Sequence, residues 1–175
     1  TRGRGVERLY EKWFEAGIFR GRQSSIEVFL IDERRVPADH PDSNYHSIGQ
    51  TFFWDQLPQG ALLHRMDGDA ADFSKETHRY ETLLAELIDF MLLTMGEDGL
   101  IASLFLHSSA LKKDKRKVVP IHGPKAPHQR LSITAQVIIN AKRVFVLALG
   151  DGKRRIYDQA LESPAGIQSV PARFV

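Results

Sequence analysis

Apolar and polar positions along the chain repeat with two alternating periods. Residues Glu7 to Ala16 carry Leu9, Tyr10, Trp13 and Phe14 at helical spacing, and Gly17 is placed to stop that helix. Ile26 to Ile31 is a short, β-branched-rich apolar run, the pattern of a strand buried on both faces. Asp32 to Asn44 is polar, contains Pro37 and Pro41, and reads as a loop. Tyr45 to Trp54 reads as a helix with Ser43 or Asn44 at its cap. Ser74 can cap a further helix that carries Tyr80, Leu83, Leu84, Leu87 and Ile88 on one face. Phe90 to Met95 is a second apolar strand, Gly96 to Gly99 a turn, and Leu100 to Leu106 the helix expected after it.

Lys112 to Lys117 is a charged break, most simply a solvated loop. Val118 to Ile121 and Leu131 to Thr134 are short strands, and Ala135 to Lys142 is a helix. Val144 to Leu149 is the clearest strand, ended by Gly150, and Lys153 to Leu161 is a last helix. Strands separated by helical segments imply βαβ units, a mostly parallel sheet and right-handed crossovers. There is no internal repeat and no interdomain linker.

Length and composition narrow the function classes. A chain of 175 residues with 42% hydrophobic and 26% charged residues makes one domain with a sizeable core, not a disordered segment. A net charge of +2 gives no general attraction for nucleic acid, and none is expected as a partner. No apolar stretch approaches the roughly 18 residues of a membrane span, so no membrane partner is expected either. The absence of cysteine removes disulfides, thiolate metal sites and a cysteine nucleophile, and suits a reducing cytoplasm. The N-terminus, Thr1-Arg2-Gly3-Arg4-Gly5, has no initiator Met and no apolar run behind it. It is not a signal peptide and reads like the middle of a longer chain.

Open parallel sheets bind ligands beyond the carboxyl ends of their strands. Three such ends carry charge or glycine: Asp32-Glu33-Arg34-Arg35, Met95-Gly96-Glu97-Asp98-Gly99 and Gly150-Asp151-Gly152-Lys153. Arg34, Arg130 and Lys153 make the expected cleft attractive to an anion, and a helix starting after Gly99 would add backbone donors. A Walker lysine motif and an intact GxGxxG are both missing, which argues against a nucleoside triphosphate or a dinucleotide. Each residue also has a plainer reading. Arg34 could pair with Glu33 or Asp39, Asp32 could cap a loop, and Asp98 could cap a turn. Arg130 and Lys153 could be solvated charges. His46 and His107 are the histidines nearest in sequence to the cleft elements, and Trp13, Trp54 and Phe105 read as core.

Four ordered segments resemble one family. Asp32-Glu33-Arg34-Arg35-Val36-Pro37 with Asp42-Ser43-Asn44 is similar to the DER-x-VP…SN segment of 6-phosphogluconolactonases. Met95 to Phe105 is similar to their GMG-x-DGHTASLFP segment, Pro124 to Thr134 to PKPP-x-x-RITLT, and Asn140-Ala141 with Gly150 to Lys153 to NAA…G-x-x-K. Glucosamine-6-phosphate deaminases share the fold and the DGH element but differ after it.

The resemblance implies a NagB-like three-layer α/β fold with a mostly parallel, Rossmann-like sheet flanked by helices. It implies a cytoplasmic enzyme of the pentose phosphate pathway that hydrolyses 6-phospho-D-glucono-1,5-lactone without metal or organic cofactor. The alternatives are a sugar-phosphate-binding protein without catalysis and a deaminase or isomerase of the same fold. Carried over residue by residue, the catalytic positions are Asp32, Asp98 and Leu100. Leu100 stands where the family has the histidine thought to activate water. The substrate-binding positions are Gly3, Arg34, Ser43, Asn44, Gly99, Arg130 and Lys153, with Gly3 on the family's phosphate loop and donors near Gly99 facing the developing oxyanion. Residues 1–175 are then a single domain lacking the family's N-terminal strand–helix–strand and its C-terminal helix. The resemblance leaves the oligomeric state open.

Overall fold

A computed structural model describes residues 4–18, 26–50, 60–96, 99–105, 108–111, 115–150, 152–154 and 158. Helix α1 runs over Arg4–Glu15 and stops at Gly17, whose φ of 59° is the left-handed conformation that glycine adopts freely. Strand β1 (Glu27–Phe29) pairs in parallel with β3 (Leu62–His64). Strand β4 (Met91–Thr94) pairs in parallel with β7 (Val144–Leu147), where the apolar runs predicted strands. Helix α2 (Asn44–Ile48) begins at Ser43, whose Oγ accepts from the His46 N–H. Helix α3 (Phe73–Leu83) is capped by Asp72, two residues before the Ser74 cap expected from sequence, and it ends before Leu87 and Ile88. The short helix α4 (Ala135–Ile139) leads into β7.

Two expectations fail here. Residues Asp32–Arg34 are not loop; they form strand β2. It lies antiparallel to β6 (Gln129–Ile133), which is itself antiparallel to β5 (Val118–His122), in a three-stranded sheet β2-β6-β5. A polar triplet can be a buried strand when its side chains find hydrogen-bond partners, a condition that hydrophobic pattern does not report. The helix expected from Leu100 is also absent: Ile101 bridges back to Met95, and the next helical residues are a 3-10 turn at Ser109–Leu111. Most of the last predicted helix lies outside the described residues.

Alternation along the parallel strands sorts their side chains into two layers of core. Val28, Leu30, Leu63, Leu92 and Leu147 face Val6 and Tyr10 of α1 and Ile48 of α2. Phe29, Ile31, Met91 and Leu93 face Tyr80 of α3 and Ala135 and Ile138 of α4. Helices on both faces of strands make three layers. Among the described residues no helix is long and apolar enough to cross a membrane.

The chain changes sheets between β1 and β2. Leu30 N–H still donates to the His64 carbonyl of β3, whereas the Ile31 carbonyl already accepts from the Ile133 N–H of β6. The buried Tyr80 hydroxyl sits at this switch, 2.9 Å from the Leu30 carbonyl and 3.2 Å from that of His64. Burial pushes the Tyr80 phenol far above its ordinary pKa, so it remains a donor. Tyr80→Phe should therefore destabilise the fold by about 1–2 kcal/mol, the cost of an unmet buried acceptor. Urea unfolding of the two proteins measures it; equal midpoints would mean that the switch needs no hydroxyl.

Candidate active site

The β2–β6 register sets the site. Asp32 lies opposite Ser132, Glu33 opposite Leu131, and Arg34 opposite Arg130. Two arginines thus face each other across neighbouring antiparallel strands, at a distance where side chains interact.

Arg34 Nη1 donates to the Asp42 carbonyl at 2.8 Å, and its buried Nε has no partner among the described residues. The alternative ion pair to Glu33 is not formed: Glu33 accepts the backbone N–H of Arg34 instead, at 2.7 Å. Arg130 is 9% exposed and so is not a solvated charge. Its Nε donates to the Pro127 carbonyl and an Nη to that of Lys125, and its guanidinium lies 5.2 Å from the centre of the Phe105 ring. Burial first, and the Arg34 charge second, press Arg130 below its ordinary pKa, while Asp32 and Asp42 draw it back. A guanidinium does not deprotonate at physiological pH, so Arg130 keeps its charge in this environment.

Asp32 is buried with both oxygens engaged: Oδ2 accepts from Ser103 Oγ at 2.7 Å and Oδ1 from Asn44 Nδ2 at 3.0 Å. Ser103 follows Ala102, which holds a φ of 50°, a conformation that costs a residue with a Cβ roughly 1 kcal/mol or more. The Ser103–Asp32 bond fixes the far end of that strained turn. Ser43 and Asn44 are fully buried and built into the scaffold, since Ser43 Oγ donates to Glu33 and Asn44 also donates to the Asp32 carbonyl. They shape the site from behind.

Leu100 occupies a tight turn rather than a helix start. Its carbonyl accepts from Gly96 N–H at 2.8 Å. Gly99, at φ 73°, donates its own N–H to the Gly96 carbonyl at 3.1 Å. That N–H is therefore not the oxyanion donor expected from sequence, and no helix N-terminus stands behind it. Lys153 is half-buried just past β7, which pairs with β4 and not with the arginine-bearing sheet. Gly3, Asp98 and His107 lie outside the described residues. His46 sits in the first turn of α2.

Three site residues had no functional reading in the sequence. Ser103 anchors Asp32, Phe105 supports Arg130, and Gly123 leaves room for both, since a Cβ there would come within 2.7 Å of the Phe105 ring. Gly68 is tighter: a Cβ would stand 2.2 Å from the Arg34 carbonyl and 2.7 Å from that of Val36. Gly68→Ala must push backbone aside and should cost about 1–3 kcal/mol or more. It should also displace Arg34. Thermal unfolding together with calorimetric titration of inorganic phosphate tests this; an alanine protein with unaltered stability would contradict the close approach.

The comparisons with known proteins agree with one another. The family model described as glucosamine-6-phosphate isomerases/6-phosphogluconolactonase matches residues 3–175. A 6-phosphogluconolactonase of Synechocystis is 35% identical over 162 residues, covering 86% of this chain and 66% of that protein. One of Borreliella burgdorferi is 30% identical, covering 84% of this chain and 66% of that protein. The crystal structure of a 6-phosphogluconolactonase from Thermotoga maritima superposes with a TM-score of 0.81 at 26% identity, covering 99% of this chain and 77% of that one. The chain thus spans just under two thirds of the length of these curated relatives. The fold is the NagB-like α/β fold of those structures.

Proposed function

The chain belongs to the glucosamine-6-phosphate isomerase/6-phosphogluconolactonase family, and on that premise we propose that it hydrolyses 6-phospho-D-glucono-1,5-lactone to 6-phosphogluconate. The observation that carries the proposal is the Arg34–Arg130 pair, each guanidinium bonded to neutral carbonyls instead of to a carboxylate. Their positive charge is left for a ligand, and guanidinium forks match the oxygens of a phosphate. Lys153 and the loop at Gly3 complete the phosphate site in this reading. Residues 1–175 act as one domain, in the cytoplasm, within the pentose phosphate pathway.

The chemistry is an acyl transfer to water. Water adds to C1 and loses a proton, the bond from C1 to the ring oxygen breaks, and that oxygen takes up a proton. The product is the open-chain acid. Asp32, held by Ser103 and Asn44 and felt electrostatically by Arg130, orients a substrate hydroxyl or the water. Asp98, two residues before Leu100, takes the base role in place of the imidazole that the family carries there. A lactone opens in water unaided, so even a weak base leaves measurable catalysis.

Leu100 favours a second reading. A leucine neither takes nor gives a proton, and a site that keeps its arginines without that base would bind a sugar phosphate and not turn it over.

Arg34→Ala should weaken 6-phosphogluconate binding by at least about 1.5 kcal/mol, the lower range for a charged hydrogen bond. Calorimetry reads it directly, and an unchanged affinity would remove Arg34 from the anion site. Leu100→His should raise lactone turnover by about a hundredfold or more, the lower range of general base catalysis. Both proteins are assayed against spontaneous hydrolysis. Turnover at the spontaneous rate by both, with intact 6-phosphogluconate binding, would select the binding-only reading. Robust turnover by the Leu100 protein, with no gain on adding histidine, would show that another residue is the base.

A further inference from the structure

We propose that Glu33 is a positioning residue that aims the Arg34 guanidinium at the anionic group of the substrate, by folding the chain between residues 34 and 45 back onto β2. The inference rests on the functional reading above and adds a residue to it.

Glu33 is 2% exposed, and among the described residues no ion pair reaches its carboxylate. Four neutral donors surround it instead. Oε1 accepts the N–H groups of Arg34 and Asn44, each at 2.7 Å. Oε2 accepts the Ser43 hydroxyl and the Tyr45 N–H, each at 2.9 Å. One carboxylate therefore grips both ends of an eleven-residue excursion that leaves β2 at Arg34 and returns at Asn44. Burial drives the Glu33 carboxyl above its ordinary pKa, and the Asn44, Tyr45 and Arg34 N–H groups and the Ser43 hydroxyl pull against that rise. Such a buried group is kept only where its donors are fixed.

The grip reaches the site through a short path. Asp42 directly precedes the residues that Glu33 holds, and its carbonyl is the acceptor for Arg34 Nη1. Where Ser43, Asn44 and Tyr45 are pinned, the Asp42 carbonyl is pinned, and Arg34 is held in one direction opposite Arg130. Glu33 itself touches no ligand.

Glu33→Gln keeps the shape and breaks the grip in a defined way. Its NH₂ cannot replace Oε1, where two backbone N–H groups converge. It must replace Oε2, where the Ser43 hydroxyl can turn to accept but the Tyr45 N–H is left facing a donor. The first turn of α2 then shifts, and the Asp42 carbonyl moves with it.

The test is a double-mutant cycle of Glu33→Gln with Arg34→Gln. It is read by calorimetric titration of 6-phosphogluconate, and by turnover of 6-phosphogluconolactone and of unphosphorylated glucono-1,5-lactone. Glu33→Gln should weaken 6-phosphogluconate at least about tenfold, the factor equivalent to one charge-assisted hydrogen bond. It should raise KM for the phosphorylated lactone more than it lowers kcat, and cost the unphosphorylated lactone clearly less. It should add little in the Arg34→Gln background, because it acts through that side chain. Unchanged affinity, equal losses on both lactones, or fully multiplicative effects would each overturn the proposal. Should Glu33→Gln not fold, Ser43→Ala removes one donor and keeps the charge. A smaller weakening with the same non-additivity supports the proposal, and wild-type affinity overturns it. If the native protein binds 6-phosphogluconate without turning over lactone, the lactonase reading fails while the binding cycle still decides the role of Glu33. If it binds neither, both fall.

Discussion

The change of sheet between residues 30 and 32 is the constraint on which the rest of the structure depends. One continuous segment is parallel to β3 up to Leu30 and antiparallel to β6 from Asp32. Consecutive strand residues face opposite ways, so a slip of one position at the switch would turn every site residue to the other face. Tyr80 from α3 reaches the Leu30 and His64 carbonyls, which fixes the end of the parallel β1–β3 pairing just before the chain changes sheets. The opposition of Arg34 and Arg130 follows from that register and not from any attraction between them, since two like charges repel.

The repulsion has a use. A folded chain tolerates two neighbouring guanidinium groups only if other interactions hold them, and here backbone carbonyls and an aromatic ring do so. Because those supports are neutral, the local charge is offset only in part, by the nearby Asp32 and Asp42. Asp32 and Glu33 divide the remaining labour: Asp32 binds the strained turn at Ala102 through Ser103, and Glu33 binds the return at Asn44. The two carboxylates therefore join two other stretches, residues 43–45 and Ser103, to one strand of three residues.

The parts of the fold that depend on apolar periodicity were legible in the sequence. The strands near residues 26, 90 and 144 and the helices near residues 7, 74 and 135 stand where the pattern put them, with ends shifted by a few positions. The parts that depend on polar satisfaction were not. Asp32–Arg34 looked like loop because burial of Asp and Glu is legible only once Ser43, Asn44 and Ser103 are known to be near them. Leu100 to Leu106 looked like a helix because its apolar spacing allows one, yet the Met95–Ile101 bridge turns the chain back before a helix can start. Arg34 and Arg130 were recognisable as candidate anion ligands, but that they face each other is a property of register alone. Phe105 read as core and does pack there, while also supporting Arg130.

Binding and chemistry occupy separable parts of this architecture. The arginine pair belongs to the β2–β6 strands and is secured by Glu33, the 123–130 hairpin and Gly68. The position of the family's imidazole belongs to the turn after β4, and that turn is closed by backbone bonds between Gly96, Gly99 and Leu100 which need no particular side chain at residue 100. A leucine can therefore replace a histidine there without disturbing the arginine pair. Among the described residues two side-chain contacts tie the halves together: Ser103 bonds Asp32, and the Phe105 ring lies against Arg130. Both contacts come from residues after the turn, so the orientation of the 99–105 segment relative to the arginines is set without the side chain at residue 100.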